Sequence, residues 1–246
     1  MNQLVRVLLT LAIAAPAAAD TTDRLSRVLP LAPGTAVSLQ VTIGQVQVSG
    51  WDRADLSVEI VRRAPDAASL ARFPSHIDTS GKAVVIRVVQ PDGSRDARLR
   101  SDVVLRVPRA AELRELSLFE GRLEIEGLTG TVAAHVERGD VVARNVSGAI
   151  RIETSIGGIR LERATLSPGG LIRLRTFNGD VKVELASRPE NARVLALSMG
   201  GTIGSDVPLT RKERWGPRWG ETTIGAGGAL ISIDVVNGNI DLKLSP

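Results

Sequence analysis

The sequence contains no cysteine and no tyrosine, and aromatic residues make up only 2% of its 246 residues. Without cysteine, the chain can form neither a disulfide nor a thiolate metal site, and it cannot carry a lipid anchor on a cysteine. With so few aromatic side chains, the core has to be built from valine, leucine, isoleucine and alanine. Short strands stacked so that their aliphatic side chains form ladders meet that requirement.

Residues and motifs typical of catalysis are equally scarce. The two histidines, His76 and His135, stand in unrelated contexts. No nucleophile elbow, HExxH motif, P-loop or dinucleotide-binding glycine fingerprint occurs. Asp140, Asp180 and Asp241 lie near repeated glycines, but the calcium-binding nonapeptide consensus is missing. We therefore expect no catalytic residue, no bound cofactor and no metal site, and we expect that the protein is not an enzyme.

Long apolar runs are also missing, because the longest one near the start, Leu8 to Ala14, is too short to cross a bilayer. It follows Arg6 and precedes the small residues Ala17 to Ala19, a pattern that is typical of a secretory signal peptide. We expect residues 1–19 to be removed and the mature chain to begin at Asp20, without a transmembrane segment. The predicted location is exported, either periplasmic or extracellular at the cell envelope.

The pattern that dominates the chain is a strict alternation of aliphatic and charged residues between Gly148 and Leu185. A period of two is typical of strands that bury one face. The residues expected to face inward are Ile150, Ile152, Ile159, Leu161, Ile172, Leu174, Val181 and Val183. Glutamates and arginines on the other face are expected to form ion pairs across neighbouring strands, for example Glu162 with Arg160 or Arg173.

Glycines punctuate these runs at nearly equal intervals, at Gly121, Gly130, Gly139, Gly148, Gly158, Gly170 and Gly179. Each interval holds one short strand and one corner, and equal intervals indicate an internal repeat. The sequence therefore predicts an all-β, β-solenoid-like stack of short strands. An antiparallel β-sandwich or meander is the alternative, because the dipeptides Asn178-Gly179 and Asn237-Gly238 are also typical of hairpin turns.

The chain is expected to form one β-repeat domain over residues 20–246, with an irregular sheet over 20–110 and regular repeats over 111–246. One short helix is predicted near residues 66–73, since Asp66 is a suitable N-cap and Pro74 ends the segment. The repeats are interrupted by an insertion at residues 205–225.

That insertion supplies the candidate binding residues. It combines two of the three tryptophans with basic side chains, in an order suited to stacking and to charge pairing. The set is Arg211, Lys212, Arg214, Trp215, Arg218 and Trp219. Two interpretations stay open: the tryptophans cover an end of the stack, or they contact an anionic glycan or an envelope protein. Nucleic acid is not expected, because the net charge is only +4 and the outward charges alternate in sign.

The segment from Val107-Pro108 to Leu161 and the ending from Ile231 to Leu244 resemble the putative adhesin family, also called the toastrack domain of unknown function. The resemblance covers roughly residues 35–244. It implies an exported or envelope-associated β-solenoid-like domain and supplies no catalytic residues. The predicted function is that of a non-catalytic cell-envelope binding or scaffolding protein. The alternative is a β-solenoid enzyme that acts on envelope or extracellular polysaccharide.

Overall fold

The computed structural model describes residues 20–212 and 217–244, with the backbone alone for residues 211 and 212. Strands dominate throughout, as predicted. The first ten are β1 (Thr21–Pro30), β2 (Ala36–Trp51), β3 (Asp55–Ala64), β4 (His76–Asp78), β5 (Ala83–Val88), β6 (Arg100–Pro108), β7 (Glu112–Glu126), β8 (Val132–Arg138), β9 (Val141–Arg144) and β10 (Ala149–Ile156). The next nine are β11 (Ile159–Ala164), β12 (Leu171–Asn178), β13 (Val181–Leu185), β14 (Ala192–Ser198), β15 (Ile203–Ser205), β16 (Thr210–Lys212), β17 (Arg218–Ile224), β18 (Ala229–Asn237) and β19 (Ile240–Lys243).

Most of these strands stack in parallel, which confirms the solenoid-like prediction. The first ladder runs β5, the first half of β2, the first half of β7, β8, β10, β12, β18 and β14. The second ladder runs β6, the second halves of β2 and β7, β9, β11, β13, β19 and β15. One coil of the stack is therefore one strand from each ladder.

The aliphatic residues of both ladders face each other and form the core. All eight residues that the alternation places inward are at most 2% exposed, which confirms that prediction. Identical positions of successive coils lie in register, so Leu174 has Ile152 on one side and Ile233 on the other. Each strand thus buries its apolar face only because its neighbours extend the same ladder.

The two Asn-Gly dipeptides are corners between the ladders. Strand β12 pairs with β10 and β18, and β13 pairs with β11 and β19, so the strands flanking Gly179 do not pair with each other. The antiparallel meander is therefore wrong for the repeats. Antiparallel pairing occurs at the two ends of the stack, in β1 with β3, β3 with β6, β4 with β5, β14 with β17 and β16 with β17.

Corner glycines lie directly above one another along one side of the stack. The column consists of Gly44, Gly121, Gly139, Gly157, Gly179, Gly238 and Gly201. Each member after Gly44 approaches the carbonyl of the preceding member so closely that a Cβ has no room, and Gly44 approaches the carbonyl of Ser101 in the same way. The corner between β10 and β11 is Gly157, with a φ of 143°, whereas the repeat pattern pointed to its neighbour Gly158. Gly121 and Gly139 are successive members of the column, and Gly130 lies midway between them in the sequence. A nine-residue glycine interval is therefore half a coil.

Buried hydroxyl groups satisfy carbonyls of this glycine column. Thr154 donates to the Gly139 carbonyl at 3.2 Å, and Thr176 donates to the Gly157 carbonyl at 3.0 Å. Ser198 repeats the contact at the last coil, where it donates to the Gly238 carbonyl at 2.9 Å. These polar side chains can be buried because each has a partner.

The coils do not stack in the order of the chain. The coil formed last, β18 with β19, lies between β12 with β13 and β14 with β15. After β13 the chain therefore skips one position, forms β14 and β15, and returns to fill the gap. The predicted insertion at 205–225 makes β16 and β17, which add antiparallel strands beyond β14 at the end of the first ladder.

The predicted helix is present as α1 (Ala67–Ala71), capped by Asp66. The Asp66 carboxylate accepts a hydrogen bond from the Ser69 amide at 2.6 Å, and the hydrogen bonds from Ser69 lower the pKa of Asp66. Phe73 follows the helix and is completely buried in the core at the N-terminal end of the stack. Over residues 20–212 and 217–244, no helix has the length and apolar character needed to cross a bilayer.

Candidate binding surface

Trp219 lies on β17, the antiparallel strand at the end of the first ladder. Its register partners are Leu197 on β14 and Lys212 on β16. Because Ala196 beside Leu197 is buried in the core, Leu197 and Trp219 face outward from the stack. The indole is half-buried, and its Nε1 is inaccessible to solvent without an acceptor among the described residues.

Of the other five predicted residues, the structure describes Arg218 in full and Arg211 and Lys212 by their backbone alone. Arg218 is exposed and directly precedes Trp219, so the two side chains leave opposite faces of β17. Arg211 and Lys212 belong to β16, where their backbones pair with Gly220 and Trp219. Arg214 and Trp215 lie outside the described residues. The structure thus places Trp219 outward and Arg218 exposed at the same end of the stack.

A groove of about 410 Å³ runs along the outer face of the first ladder and reaches Leu197 on β14. No local sequence pattern predicts this groove, because its residues come from five strands, namely β8, β10, β12, β18 and β14. The lining residues are His135, Glu153, Thr154, Ser155, Arg175, Thr176, Phe177, Leu197, Met199, Asp234, Val235 and Val236. Leu197 joins this groove to Trp219, since the two residues are direct register partners.

One wall of the groove is a row of ionisable side chains, one from each of four neighbouring strands. The register places His135 beside Glu153, Glu153 beside Arg175, and Arg175 beside Asp234. Although they are neighbours, Glu153, Arg175 and Asp234 make no side-chain hydrogen bond and no ion pair within 4.0 Å with another described residue. Their polar atoms are therefore available to a ligand.

The other wall is apolar. The Phe177 side chain is 55% exposed and Met199 is 57% exposed, while Val236 between them is half-buried. These are unusual outward residues in a chain with only three phenylalanines and two methionines. Phe177 follows Arg173 and Arg175 at an outward position, so the alternation itself could have marked it as an exposed aromatic residue. An exposed apolar cluster of this kind is typical of a binding surface.

The outer face of the second ladder also carries charged side chains, and some of them pair with each other. Glu162 accepts from Arg144 on the neighbouring strand at 2.8 Å, and Arg122 donates to Glu124 at 2.7 Å. The predicted partner Arg160 is 3.8 Å from Glu162 on the same strand, so Arg144 replaces it as the cross-strand partner. Lys182, Glu184, Asp241 and Lys243 on the same face make no ion pair within 4.0 Å with another described residue, so the second ladder carries both paired and unpaired charges.

The aspartates near the glycines cap the corners. Asp140 accepts from the Gly158 amide at 2.8 Å, and Asp180 accepts from the Asn239 amide at 2.8 Å. Each carboxylate therefore binds the backbone of the next coil. Within the part of the chain that the structure describes, no group of three or more histidine, aspartate or glutamate side chains is arranged to hold a metal ion.

A solved structure of a putative cell adhesion protein from Clostridium sporogenes ATCC 15579 is similar to this chain. The TM-score is 0.53 and the identity 11%, over 91% of this chain and 99% of that one. Putative adhesins from Bacteroides fragilis NCTC 9343 and Parabacteroides merdae ATCC 43184 give TM-scores of 0.33 and 0.31. Their identities are 9% and 10%, over 89% of this chain and 97% and 95% of their own. The likeness to the clostridial protein shows a shared fold.

No protein-family model matches the chain, and none of the curated proteins matches it. The resemblance to the toastrack family therefore stays a prediction.

Proposed function

We propose that the protein is an exported, non-catalytic binding or scaffolding module of the cell envelope, similar to the clostridial putative cell adhesion protein whose fold it shares. The observation that carries this proposal is the outward surface formed by Trp219 and the adjoining groove. This surface combines exposed apolar side chains with charged side chains that make no ion pair within 4.0 Å with another described residue. Such a combination is typical of a surface that binds a partner.

Export is supported by the residue pattern of positions 1–19, which lie outside the described residues. Strand β1 begins at Thr21, just beyond the small residues Ala17 to Ala19. Cleavage after Ala19 therefore leaves every described strand intact. An envelope protein or an anionic glycan is the partner that the basic residues at 211–218 favour, with Trp215 and Trp219 as the apolar contacts.

A polysaccharide-degrading enzyme is the second candidate, because the groove carries two carboxylates, Glu153 and Asp234. Their strands are separated by β12, so their backbones are about 9.6 Å apart, and glycosidases use two acids about 5–9.5 Å apart. Arg175 lies between them in the ladder, where an enzyme of this type needs space for the sugar or for water. We therefore favour binding over hydrolysis at this surface.

The binding role can be tested by pull-down from envelope extract with the mature protein. A Trp219→Ala, Arg218→Ala variant should lose partners that the wild type retains, because it removes the indole and the guanidinium from the end of the stack. A matched control is Val28→Ala, Arg27→Ala, which removes an exposed apolar side chain and an arginine from β1 at the opposite end. Unchanged circular-dichroism spectra would show that both variants fold.

If the Trp219 and Arg218 variant retained the same partners as the wild type and the control, the 205–225 segment would be excluded as the binding surface.

A further inference from the structure

We infer that the groove on the outer face of the first ladder binds a linear oligosaccharide of low net charge, lying across the strands. The inference rests on the proposed binding function and adds the class of ligand and the residues that hold it. It concerns His135, Glu153, Arg175, Phe177 and Asp234, none of which belongs to the 205–225 segment.

The dimensions of the groove favour a chain of sugar rings over a single small molecule. Its lining residues come from five adjacent strands in the order β8, β10, β12, β18 and β14. Four strand spacings amount to about 19 Å. A ligand that touches both ends must therefore be elongated and must run along the axis of the stack.

The polar wall suits hydroxyl groups. Glu153 and Asp234 can accept hydrogen bonds, while Arg175 between them offers several donors in one plane. All three lack a partner among the described residues, so binding a sugar breaks no internal ion pair. Because acidic and basic side chains alternate along the row, their charges nearly cancel. With two carboxylates and one guanidinium, the row repels an anionic ligand more than it attracts one, whereas a polyhydroxylated ligand of low charge can hydrogen-bond to both kinds of side chain.

The apolar wall suits the carbon-bound hydrogens of a pyranose ring. Phe177 is 55% exposed beside the polar row, and Val236 and Met199 continue the apolar surface. Covering an exposed aromatic ring removes apolar surface from water, which favours binding. Binding sites commonly combine an apolar surface with a few fixed polar groups, and a sugar presents both kinds of surface at once.

An extended peptide fits this surface less well. Peptides that bind to sheets usually add a strand to an open edge. Here the groove crosses the strands, and the backbone groups of β10, β12 and β18 are already used by parallel neighbours on both sides. A peptide in the groove could use side-chain contacts alone.

The inference can be tested by isothermal titration of the mature protein with cellopentaose, xylopentaose, maltopentaose and chitopentaose, and with pentagalacturonate as an anionic comparison. We expect at least one neutral pentasaccharide to bind. Phe177→Ala and Arg175→Ala should each weaken binding about tenfold or more, by removing the stacking surface or the central donor. The matched control is Ile156→Ala, because Ile156 is 50% exposed on the same ladder but does not line the groove.

The inference is overturned if no neutral sugar in the set binds, if only pentagalacturonate binds, or if Phe177→Ala binds as well as Ile156→Ala. Its failure is distinguishable from failure of the proposed function. Loss of envelope partners in the Trp219 and Arg218 variant, without sugar binding by the wild type, would retain the binding role and remove the sugar. Release of reducing ends during the titration would instead contradict the non-catalytic role.

Discussion

Replacing Gly139 by alanine is expected to prevent the protein from folding, or to lower its free energy of unfolding by more than about 4 kcal/mol. A Cβ at this position would lie 1.6 Å from the carbonyl oxygen of Gly121, which is backbone and cannot move without displacing the next coil. The φ of 142° is also unfavourable for alanine. Urea unfolding, or the yield of folded protein if the variant does not accumulate, measures the effect.

The matched control is Gly228→Ala. Gly228 is exposed, has an ordinary φ, and a Cβ there meets nothing within 4 Å. We expect its stability to stay within about 0.5 kcal/mol of the wild type. Comparable stability of the Gly139 and Gly228 variants would show that the corner glycines are not in contact as the structure has them.

Leu174→Ala is expected to lower the free energy of unfolding by about 2–5 kcal/mol. Leu174 is completely buried between Ile152 and Ile233, so truncation leaves a cavity in the middle of the aliphatic ladder. The parallel neighbours on both sides restrict collapse of the strands into that space. Chemical denaturation monitored by circular dichroism gives the difference directly.

Arg173→Ala serves as the control for this variant. Arg173 precedes Leu174 on the same strand, is exposed, and makes no ion pair within 4.0 Å with any other described residue. A change of less than about 0.5 kcal/mol is expected there. If Leu174→Ala cost no more than Arg173→Ala, the inward and outward faces of β12 would be assigned incorrectly.

The core and the corners could be predicted because each has a local sequence pattern. Ile150, Ile172 and Val181 are buried where the period of two places them, and Asp66 caps the helix that its position suggested. The glycine intervals indicate the corners correctly, except that they point to Gly158 where the structure has Gly157. Adjacent glycines give the same sequence signal, and only the close approach to the next coil distinguishes them.

The order of the coils could not be predicted, because every coil presents the same alternation to its neighbours. Ile172 could stack equally well on Ile231 of β18 or on Val194 of β14. The shorter sequence separation favours Val194, but the structure pairs Ile172 with Ile231. The strands at the end of the stack could not be predicted either. Residues 205–225 carry turn-forming and basic residues that resemble an insertion, yet 210–212 and 218–224 form strands that extend the ladder.

The groove depends directly on this permuted order. Arg175 lies beside Asp234 only because β18 lies between β12 and β14 in the stack. In chain order, Arg175 would instead lie beside Leu197, and the polar wall would end there. The tryptophans and arginines of 205–225 stand out in the sequence because their composition is unusual, whereas the groove is assembled from ordinary residues of distant repeats.

Disulfide mapping tests this stacking order most directly, since the chain contains no cysteine of its own. Arg173→Cys with Ser232→Cys places two cysteines directly opposite each other on adjacent strands. Their Cα atoms are about 4.8 Å apart, within the range that a disulfide spans. Arg173→Cys with Leu195→Cys places them two strands apart, at about 9.6 Å, beyond that range. We expect mild oxidation to cross-link the first pair and not the second; cross-linking of the second pair alone would contradict the stack.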